Sequence, residues 1–305
     1  MSYWRTLLVP LDGTPEAAAA LPLARTLAAA MGAELALVRV LPDVAGKVET
    51  SLAAQQLQRI AVELAGAGIQ VATHVRTGSA PDQLLAAIEE CAADAVVMAT
   101  HGRSGVPRAV LGSIAERVLT QSPVPLLLVR PGGRRTVELK TLSVPVDGTA
   151  GGALALASAV AIAQATHARI QLVEVVVPVP AWVFAAECGT GVVMPPDSSW
   201  DTEALEGAKR YVNGLAARLR EIGIAAEGRA IIGDPASMIT AMAQEVQADL
   251  IVMSTRALNG PVRTVVGSTA DTVVRTAGRP VLLVRRRGAA HEEAASAVSA
   301  EAAVH

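Results

Sequence analysis

The sequence contains two copies of one pattern, and this internal repeat constrains the fold more than any other feature does. Four pairs of segments match in the order of the chain: 8–14 with 143–149, 33–40 with 168–175, 94–98 with 249–253, and 112–113 with 267–268. The offset between the copies grows from 135 residues (12 to 147) to 155 residues (112 to 267). The second copy therefore holds an insertion of 20 residues, the difference between the two offsets, which we place at about 178–200.

Short apolar runs alternate with stretches of helical periodicity in each copy. In the first copy the pattern predicts strands near 6–11, 34–41, 69–76, 94–99 and 124–130, and helices near 15–31, 50–67, 81–92 and 113–121. Runs such as Ala95–Met98 lack polar alternation, which is typical of strands buried on both faces. Strands separated by single helices form parallel units with right-handed crossovers. The sequence therefore predicts an α/β fold of two tandem, doubly wound domains, each with a parallel five-stranded sheet.

The ends of the repeat set the predicted domain boundaries. We place the first domain at 1–131, the second at 138–287 and a flexible tail at 288–305. The insertion in the second domain carries Trp182, Phe184 and Trp200, three of the six aromatic residues of the chain. Two interpretations of this insertion stay open: a lid or partner surface, and a surface loop whose aromatic rings pack locally.

Composition and charge argue against several classes of protein. The formal net charge is −2 and the basic residues are scattered, so no footprint for nucleic acid is expected. Cys91 and Cys188 lack metal-binding spacing and indicate a reducing, cytoplasmic compartment. The first ten residues lack the pattern of a signal peptide. The uncharged stretch 149–166 is rich in Ala and Gly, which is too weakly apolar for a membrane span, so no membrane association is expected.

The segment 98–113 carries the strongest signal for a binding site. It follows an apolar run and ends with Gly112 and Ser113 at the start of a helical pattern. A helix N-terminus directs free N–H groups and the positive end of its dipole at one point, which suits a phosphate group. The alternative is an ordinary helix cap, since serine is common there. The glycine-rich context of Gly102 and Gly105 favours the phosphate site.

Three other side chains in this segment have two interpretations each. Arg103 and Arg108 could add positive charge to a phosphate chain or remain solvated surface arginines. His101 could donate to a phosphate or shape the turn, and no nearby Ser, Cys or Asp supports a catalytic role for it.

Asp12 lies at the predicted end of the first strand, where its carboxylate could accept hydrogen bonds from ribose hydroxyls. The alternative is a turn residue before Gly13. In doubly wound sheets the ends of strands one and four meet where the strand order changes, so Asp12 and the Gly112 turn are expected to face one site. The chain has neither a P-loop nor a glycine-rich turn after the first strand, which argues against a P-loop NTPase and a nicotinamide dehydrogenase. It also has no metal-ligand cluster and no Ser/His/Asp arrangement with motif support.

With these residues, the chain resembles the universal stress protein family in its tandem two-domain form, over residues 5–130 and 140–287. The nucleotide-binding branch of that family carries G-x2-G-x9-G-[ST]. Gly102, nine residues, and Gly112-Ser113 match its later part, while Ala99 stands in place of its first glycine. The resemblance implies that the first domain binds ATP, with or without Mg²⁺. The residues that it assigns are Pro10, Leu11 and Asp12 for adenosine and ribose, Val40 for adenine through its backbone, Met98 and Ala99 for the floor of the site, and Gly102, Arg103, Gly112, Ser113 and Ile114 for the phosphates.

The second copy departs further from the motif. The positions that match are Pro145, Asp147, Val175, Gly267, Ser268 and Thr269. Ala257 replaces the turn glycine and Arg256 replaces the histidine. A methyl group at 257 would narrow the phosphate turn, although Gly260 could restore some freedom. We therefore expect the first site to be the stronger one.

The resemblance also implies that such domains pair through their last strands, here 124–129 and 279–284. In a tandem chain the two copies would form an internal pseudo-dimer, and a further homodimer stays open. The leading hypothesis is a non-enzymatic, ATP-binding stress-response sensor that acts on a protein partner. One alternative is a slow ATPase or adenylyl-transferring enzyme that uses Asp12 or His101. The other is a nucleotide-independent scaffold that works through the insertion or the domain interface.

Overall fold

We describe residues 4–100, 111–132, 138–178, 198–255 and 267–285 from a computed structural model of the chain. The first half consists of β1 (Thr6–Pro10), α1 (Pro15–Ala18), α2 (Leu21–Met31), β2 (Glu34–Leu41), α3 (Lys47–Ala65), β3 (Val71–Thr77), α4 (Ala80–Glu90), β4 (Ala95–Ala99), α5 (Ser113–Gln121) and β5 (Leu126–Val129). The second half consists of β6 (Thr141–Pro145), α6 (Ala150–Thr166), β7 (Arg169–Val176), α7 (Ser198–Glu221), β8 (Ala226–Ile232), α8 (Pro235–Glu245), β9 (Leu250–Thr255), α9 (Ser268–Thr276) and β10 (Val281–Arg285). The predicted tail lies outside these residues.

All ten strands belong to one sheet, in the order β3-β2-β1-β4-β5-β10-β9-β6-β7-β8. Pairing is parallel within each half, and β5 pairs antiparallel with β10, with Leu127 opposite Leu282. The predicted α/β fold of two doubly wound five-stranded units is therefore confirmed. The last strands pair with each other, so neither of them is an exposed edge.

One predicted helix is wrong, and the end of the predicted insertion lies in a helix. The pattern predicted a single helix over 15–31, but the chain forms α1 and α2 with a break at Ala19 and Ala20. Pro22 causes the break, because its ring carries no N–H and would clash with the carbonyl group four residues earlier in a continuous helix. Residues 198–200 of the predicted insertion belong to α7, and 179–197 lie outside the described residues.

The core consists of two apolar layers, one on each face of the sheet. Leu7 and Leu37 point toward the layer that α2, α3, α6 and α7 cover, while Leu8 and Val38 point toward the layer of α4, α5, α8 and α9. Each layer contains residues from both halves. Because only 2% of the residues are aromatic, leucine, valine, isoleucine and alanine fill these layers. In the part of the chain that the structure describes, no helix is long and apolar enough to cross a membrane.

A repeated carboxylate fixes the starts of the central strands. Asp94 Oδ2 accepts hydrogen bonds from the backbone N–H groups of Arg5 (2.6 Å) and Thr6 (3.0 Å). Asp249 Oδ2 does the same with Lys140 N (2.8 Å) and Thr141 N (3.1 Å). The matched aspartates therefore have a structural role at the amino edge of the sheet, and they align β1 with β4 and β6 with β9.

Two arginines cross the junction between the halves. Arg285, at the end of β10, donates through Nη1 to carbonyl oxygens at the C-terminus of α5: Leu119 (3.4 Å), Ser122 (3.3 Å) and Thr120. Arg130, just after β5, donates to the carbonyl oxygen of Arg275 at the C-terminus of α9. Each half therefore caps the last turn of a helix that belongs to the other half.

Candidate functional site

A cavity of about 580 Å³ opens at the carboxyl edge of the first half, where β1 lies between β2 and β4. Small-molecule sites typically measure about 300–1,000 Å³ and lie where the strand order of a parallel sheet changes. The predicted site residues that line this cavity are Pro10, Leu11, Asp12, Val40, Met98, Ala99, Gly112, Ser113 and Ile114. Gly102 and Arg103, with His101 and Arg108, lie outside the described residues. The end of β1 and the start of α5 are far apart in the sequence, and the structure brings them together in one cavity.

The N-terminus of α5 forms one end of the cavity. Gly112 caps the helix without a side chain, and its N–H donates to the carbonyl oxygen of Thr100 at 2.9 Å. This bond holds the helix start against the end of β4. The N–H groups of the first turn have no acceptor within the helix, and the helix dipole makes this end positive. Ser113 adds a hydroxyl group, and Ile114 is 41% exposed at the rim. This end of the cavity is suited to an anion.

Asp12 forms the second polar element of the cavity. Its Oδ1 accepts hydrogen bonds from Thr14 N (2.9 Å) and Thr14 Oγ1 (2.5 Å), and Thr14 in turn caps α1 through Ala17 N (3.2 Å). The proposed turn role of Asp12 is therefore present in the structure. Asp12 is exposed, and its Oδ2 accepts no hydrogen bond from any residue of the described ranges. One carboxylate oxygen thus shapes the turn while the other remains available to a ligand.

An apolar wall completes the cavity, and the sequence had indicated only part of it. The lining residues that the motif did not indicate are Ala17, Val38, Leu41, Pro42, Gly78, Ala80, Leu84, Thr100 and Ala115. Gly78 has a φ of +128°, and a Cβ there would lie 3.1 Å from Gln83 Nε2, so the turn between β3 and α4 favours glycine. Its N–H donates to the carbonyl oxygen of Leu41 at 2.9 Å, which closes the wall. The signal that could have found this wall is that β2 and β3 end at the same edge as β1.

The second half repeats the frame of the site. Asp147 Oδ1 accepts hydrogen bonds from Thr149 N (3.1 Å) and Thr149 Oγ1 (2.6 Å), as Asp12 does from Thr14. Pro145 ends β6 and Val175 lies in β7, while Gly267 caps α9 ahead of Ser268 and Thr269. The turn that carries Ala257 and Arg256 lies outside the described residues. The matched positions therefore occupy equivalent elements in both halves.

The remaining reactive groups do not extend the first site. Within the described ranges, no group of three His, Cys, Asp or Glu residues could hold a metal ion. Cys91 Sγ lies 3.7 Å from His74 Nε2, outside the cavity lining. Burial raises the pKa of the Cys91 thiol, which lowers its thiolate fraction at neutral pH. A further cavity of about 560 Å³, between α2 and α6, contains no carboxyl end of a strand and no helix N-terminus.

Comparison with known proteins agrees with this architecture. The model of the universal stress protein family matches the chain twice, over residues 4–130 and 138–285. A universal stress protein of Methanocaldococcus jannaschii is 29% identical over 150 residues, which are 48% of this chain and 82% of that protein. The crystal structure of a universal stress protein from Archaeoglobus fulgidus superposes with a TM-score of 0.70 at 19% identity, and it covers 94% of this chain and 100% of that one. The crystal structure of a functionally unknown protein from Pseudomonas aeruginosa superposes with a TM-score of 0.69 at 18% identity. It covers 99% of this chain and 98% of that one. At these identities the solved structures are evidence for the fold alone.

Proposed function

This chain belongs to the universal stress protein family, and we propose that its first half binds an adenine nucleotide, with ATP as the main ligand. The observation that carries the proposal is that one cavity combines an exposed carboxylate, an apolar wall and a helix N-terminus at the change in strand order. We further propose that the protein acts in the cytoplasm as a nucleotide sensor or regulatory module that alters a protein partner. The reducing compartment is supported by a cysteine pattern without disulfide spacing.

The proposed orientation of the nucleotide follows from the chemistry of the three parts. The adenine ring would contact the apolar wall at Val38 and Leu84 and meet the backbone of Val40. Ribose hydroxyls would donate to Asp12 Oδ2. The phosphates would accept hydrogen bonds from the first turn of α5 and from the Ser113 hydroxyl. An apolar base, a hydroxylated sugar and a polyanion would each occupy an environment of matching polarity.

Mg²⁺ would fit this site as a companion of the phosphates. It keeps several waters and usually takes one or two protein oxygens together with substrate phosphates. The hydroxyl group of Ser113, which lines the cavity at the proposed phosphate end, is the side-chain oxygen that would contact such an ion directly or through water. In this role the ion would neutralise phosphate charge.

We propose binding without turnover. Asp12 is the one acidic side chain among the residues that line the described cavity, and half of its carboxylate is engaged by Thr14. Its second oxygen would be occupied by the ribose in our arrangement. The enzyme alternative requires a base near the phosphates. ATP that remains intact after long incubation with stoichiometric protein would support binding alone, whereas release of phosphate or adenylate would contradict it.

Isothermal titration calorimetry with ATP tests the binding proposal. The wild-type chain should bind ATP, and Gly112→Glu should weaken binding at least about tenfold, because a carboxylate at the helix N-terminus repels the phosphates. Gly214→Glu is the matched control, since it adds the same charge at an exposed glycine in α7 with open space around it. The control should bind ATP like the wild type. Absence of ATP binding by the wild type, or equal binding by both variants, would contradict the proposal.

A further inference from the structure

The two halves differ in the charge that lies behind the turn at the end of their first strand. The turn itself is the same, since Asp12 and Asp147 make equivalent hydrogen bonds to Thr14 and Thr149. The neighbouring side chains come from the second strand and from the long helix that follows it. These elements place Arg39 in the first half and, at the offset of 135 residues, Glu174 in the second.

Arg39 extends from β2 onto the turn. A Cβ on Gly13 would lie 2.8 Å from Arg39 Nη2 and 2.9 Å from Nη1, so the guanidinium group contacts the backbone directly after Asp12. Gly13 also has a φ of +87°, and the close approach depends on its lack of a side chain. Gln56 on α3 accepts a hydrogen bond from Nη1. This partner is a neutral amide. With Gln56 and Glu49, Arg39 lines a neighbouring cavity of about 320 Å³ rather than the nucleotide cavity, so its positive charge lies behind the Asp12 turn, on the α3 side of the sheet.

The equivalent pair in the second half is Glu174 and Tyr211. Tyr211 corresponds to Gln56 at the offset of 155 residues, and the neighbouring pair Leu57 and Val212 confirms this register because both are buried. Glu174 lies near Asp147, and its Oε2 is buried without a hydrogen-bond partner in the described part of the chain. Burial, and then the Asp147 charge, raise the pKa of Glu174.

Tyr211 lies near the turn of the second half, but it does not fill the space that the guanidinium group occupies in the first half. Burial, and then the charges of Glu174 and Asp147, raise the pKa of Tyr211, and the nearby backbone of Gly148 opposes this rise. The space where a Cβ of Gly148 would lie is open, because no atom comes within 4 Å of it. The positive charge of the first turn is therefore replaced by a neutral hydroxyl and a second carboxylate.

We propose that this position sets the ligand preference of each half: Arg39 makes the first half prefer a nucleoside polyphosphate over an uncharged nucleoside, and Glu174 makes the second half reject polyphosphates. The inference rests on the proposed function. A charge behind the Asp12 turn would act on the phosphates of a bound nucleotide through its electrostatic field, which salt screens over a Debye length of about 8 Å at physiological ionic strength. Reversing the sign of this charge should change the binding free energy of ATP, a polyanion, strongly. It should change the binding free energy of uncharged adenosine little.

Affinities for ATP and for adenosine, measured side by side by calorimetry at low salt, test the first half. Arg39→Glu should lower the preference for ATP over adenosine by about tenfold or more, and Arg39→Gln by an intermediate factor. The loss should shrink in high salt. Arg59→Glu is the matched control, because it makes the same change of charge on α3 at an exposed position nearer the other edge of the sheet, and it should leave the preference unchanged.

Two results would overturn the inference for the first half. One is an equal loss of ATP and adenosine affinity in Arg39→Glu, which would assign Arg39 a purely structural role in the turn. The other is an unchanged preference in a variant that still binds both ligands. These results leave nucleotide binding intact and thus differ from failure of the proposed function, in which the wild type would bind neither ligand.

The second half is tested in a chain whose first site is blocked by Gly112→Glu. In that background, Glu174→Gln should increase ATP affinity and Glu174→Arg should increase it further, by about tenfold in total, while adenosine binding stays constant. Circular dichroism of each variant checks that the fold is retained. No gain in ATP binding by a folded Glu174→Arg chain would overturn the assignment of Glu174.

Discussion

Replacing Arg285 by methionine tests how the two halves are held together. Methionine has an unbranched side chain like the aliphatic stem of arginine, but it lacks the guanidinium group that caps α5 from the other half. Arg285 Nη1 donates to three carbonyl oxygens, those of Leu119 and Ser122 at 3.4 and 3.3 Å and that of Thr120. The free energy of unfolding should therefore fall.

The size of the effect follows from these contacts. Hydrogen bonds to a charged group contribute about 1.5–3 kcal/mol to stability, and a cation at a partly buried helix C-terminus contributes up to about 2 kcal/mol. These two contributions describe the same contact and are not summed. Arg285 is half-buried, so we expect the free energy of unfolding to fall by about 2 kcal/mol. If the chain unfolds as one unit, this loss corresponds to a fall of about 4 °C in Tm.

Urea unfolding and scanning calorimetry measure this loss. Arg117→Met is the matched control: Arg117 lies on the same helix, and its ion pair with Asp82 is about half exposed, at 50% and 52%. Such surface pairs contribute little, so the control should lose about 0.5 kcal/mol or less. Arg130→Met should resemble Arg285→Met, because Arg130 makes the reciprocal contact with α9. Equal stability of Arg285→Met and Arg117→Met would refute the capping argument.

Four further substitutions have expected effects on stability. His167→Gly should stabilise the chain by about 0.5–1 kcal/mol in thermal unfolding. The reason is that His167 ends α6 with a φ of 57°, a left-handed conformation that is unfavourable for a residue with a Cβ. An unchanged Tm would count against strain at this position. Gly228→Ala should destabilise by about 1–3 kcal/mol, because its Cβ would lie 2.7 Å from the backbone of α7, whereas Gly214→Ala, in open space on that helix, should stabilise by about 0.5–1 kcal/mol. Glu174→Gln should raise stability at pH 7, because the folded-state pKa of Glu174 is raised and its ionisation costs stability as the pH rises above the usual value of 4.5. The gain should vanish in unfolding measured at pH 4, and a gain that persists there would contradict the electrostatic cause.

Most of the fold could be predicted from the sequence because its signals are local. Buried parallel strands read as apolar runs, and the strand boundaries lie within two residues of those predicted in the first half. Helical periodicity does not reveal the break between α1 and α2, because the apolar pattern continues across Pro22. The pairing of β5 with β10 came from resemblance to a family, since nothing in an apolar run specifies its partner.

The candidate site could be predicted only where a motif or a strand end marks it. Asp12 and Gly112 were identified because turns and helix starts require particular residues. Val38 and Leu84 were missed, since they look like ordinary core residues until α4 packs against β2. The charge reversal from Arg39 to Glu174 was present in the aligned copies, but its meaning depends on the reach of a side chain onto a turn.

Native mass spectrometry of the purified chain, titrated with ATP, tests the central claim most directly. We expect one ATP per chain, and this ATP should be lost in Gly112→Glu and retained in Gly267→Glu. That result would assign the nucleotide to the first half. Two ATP molecules per chain, none, or loss of binding in Gly267→Glu with retention in Gly112→Glu would contradict it.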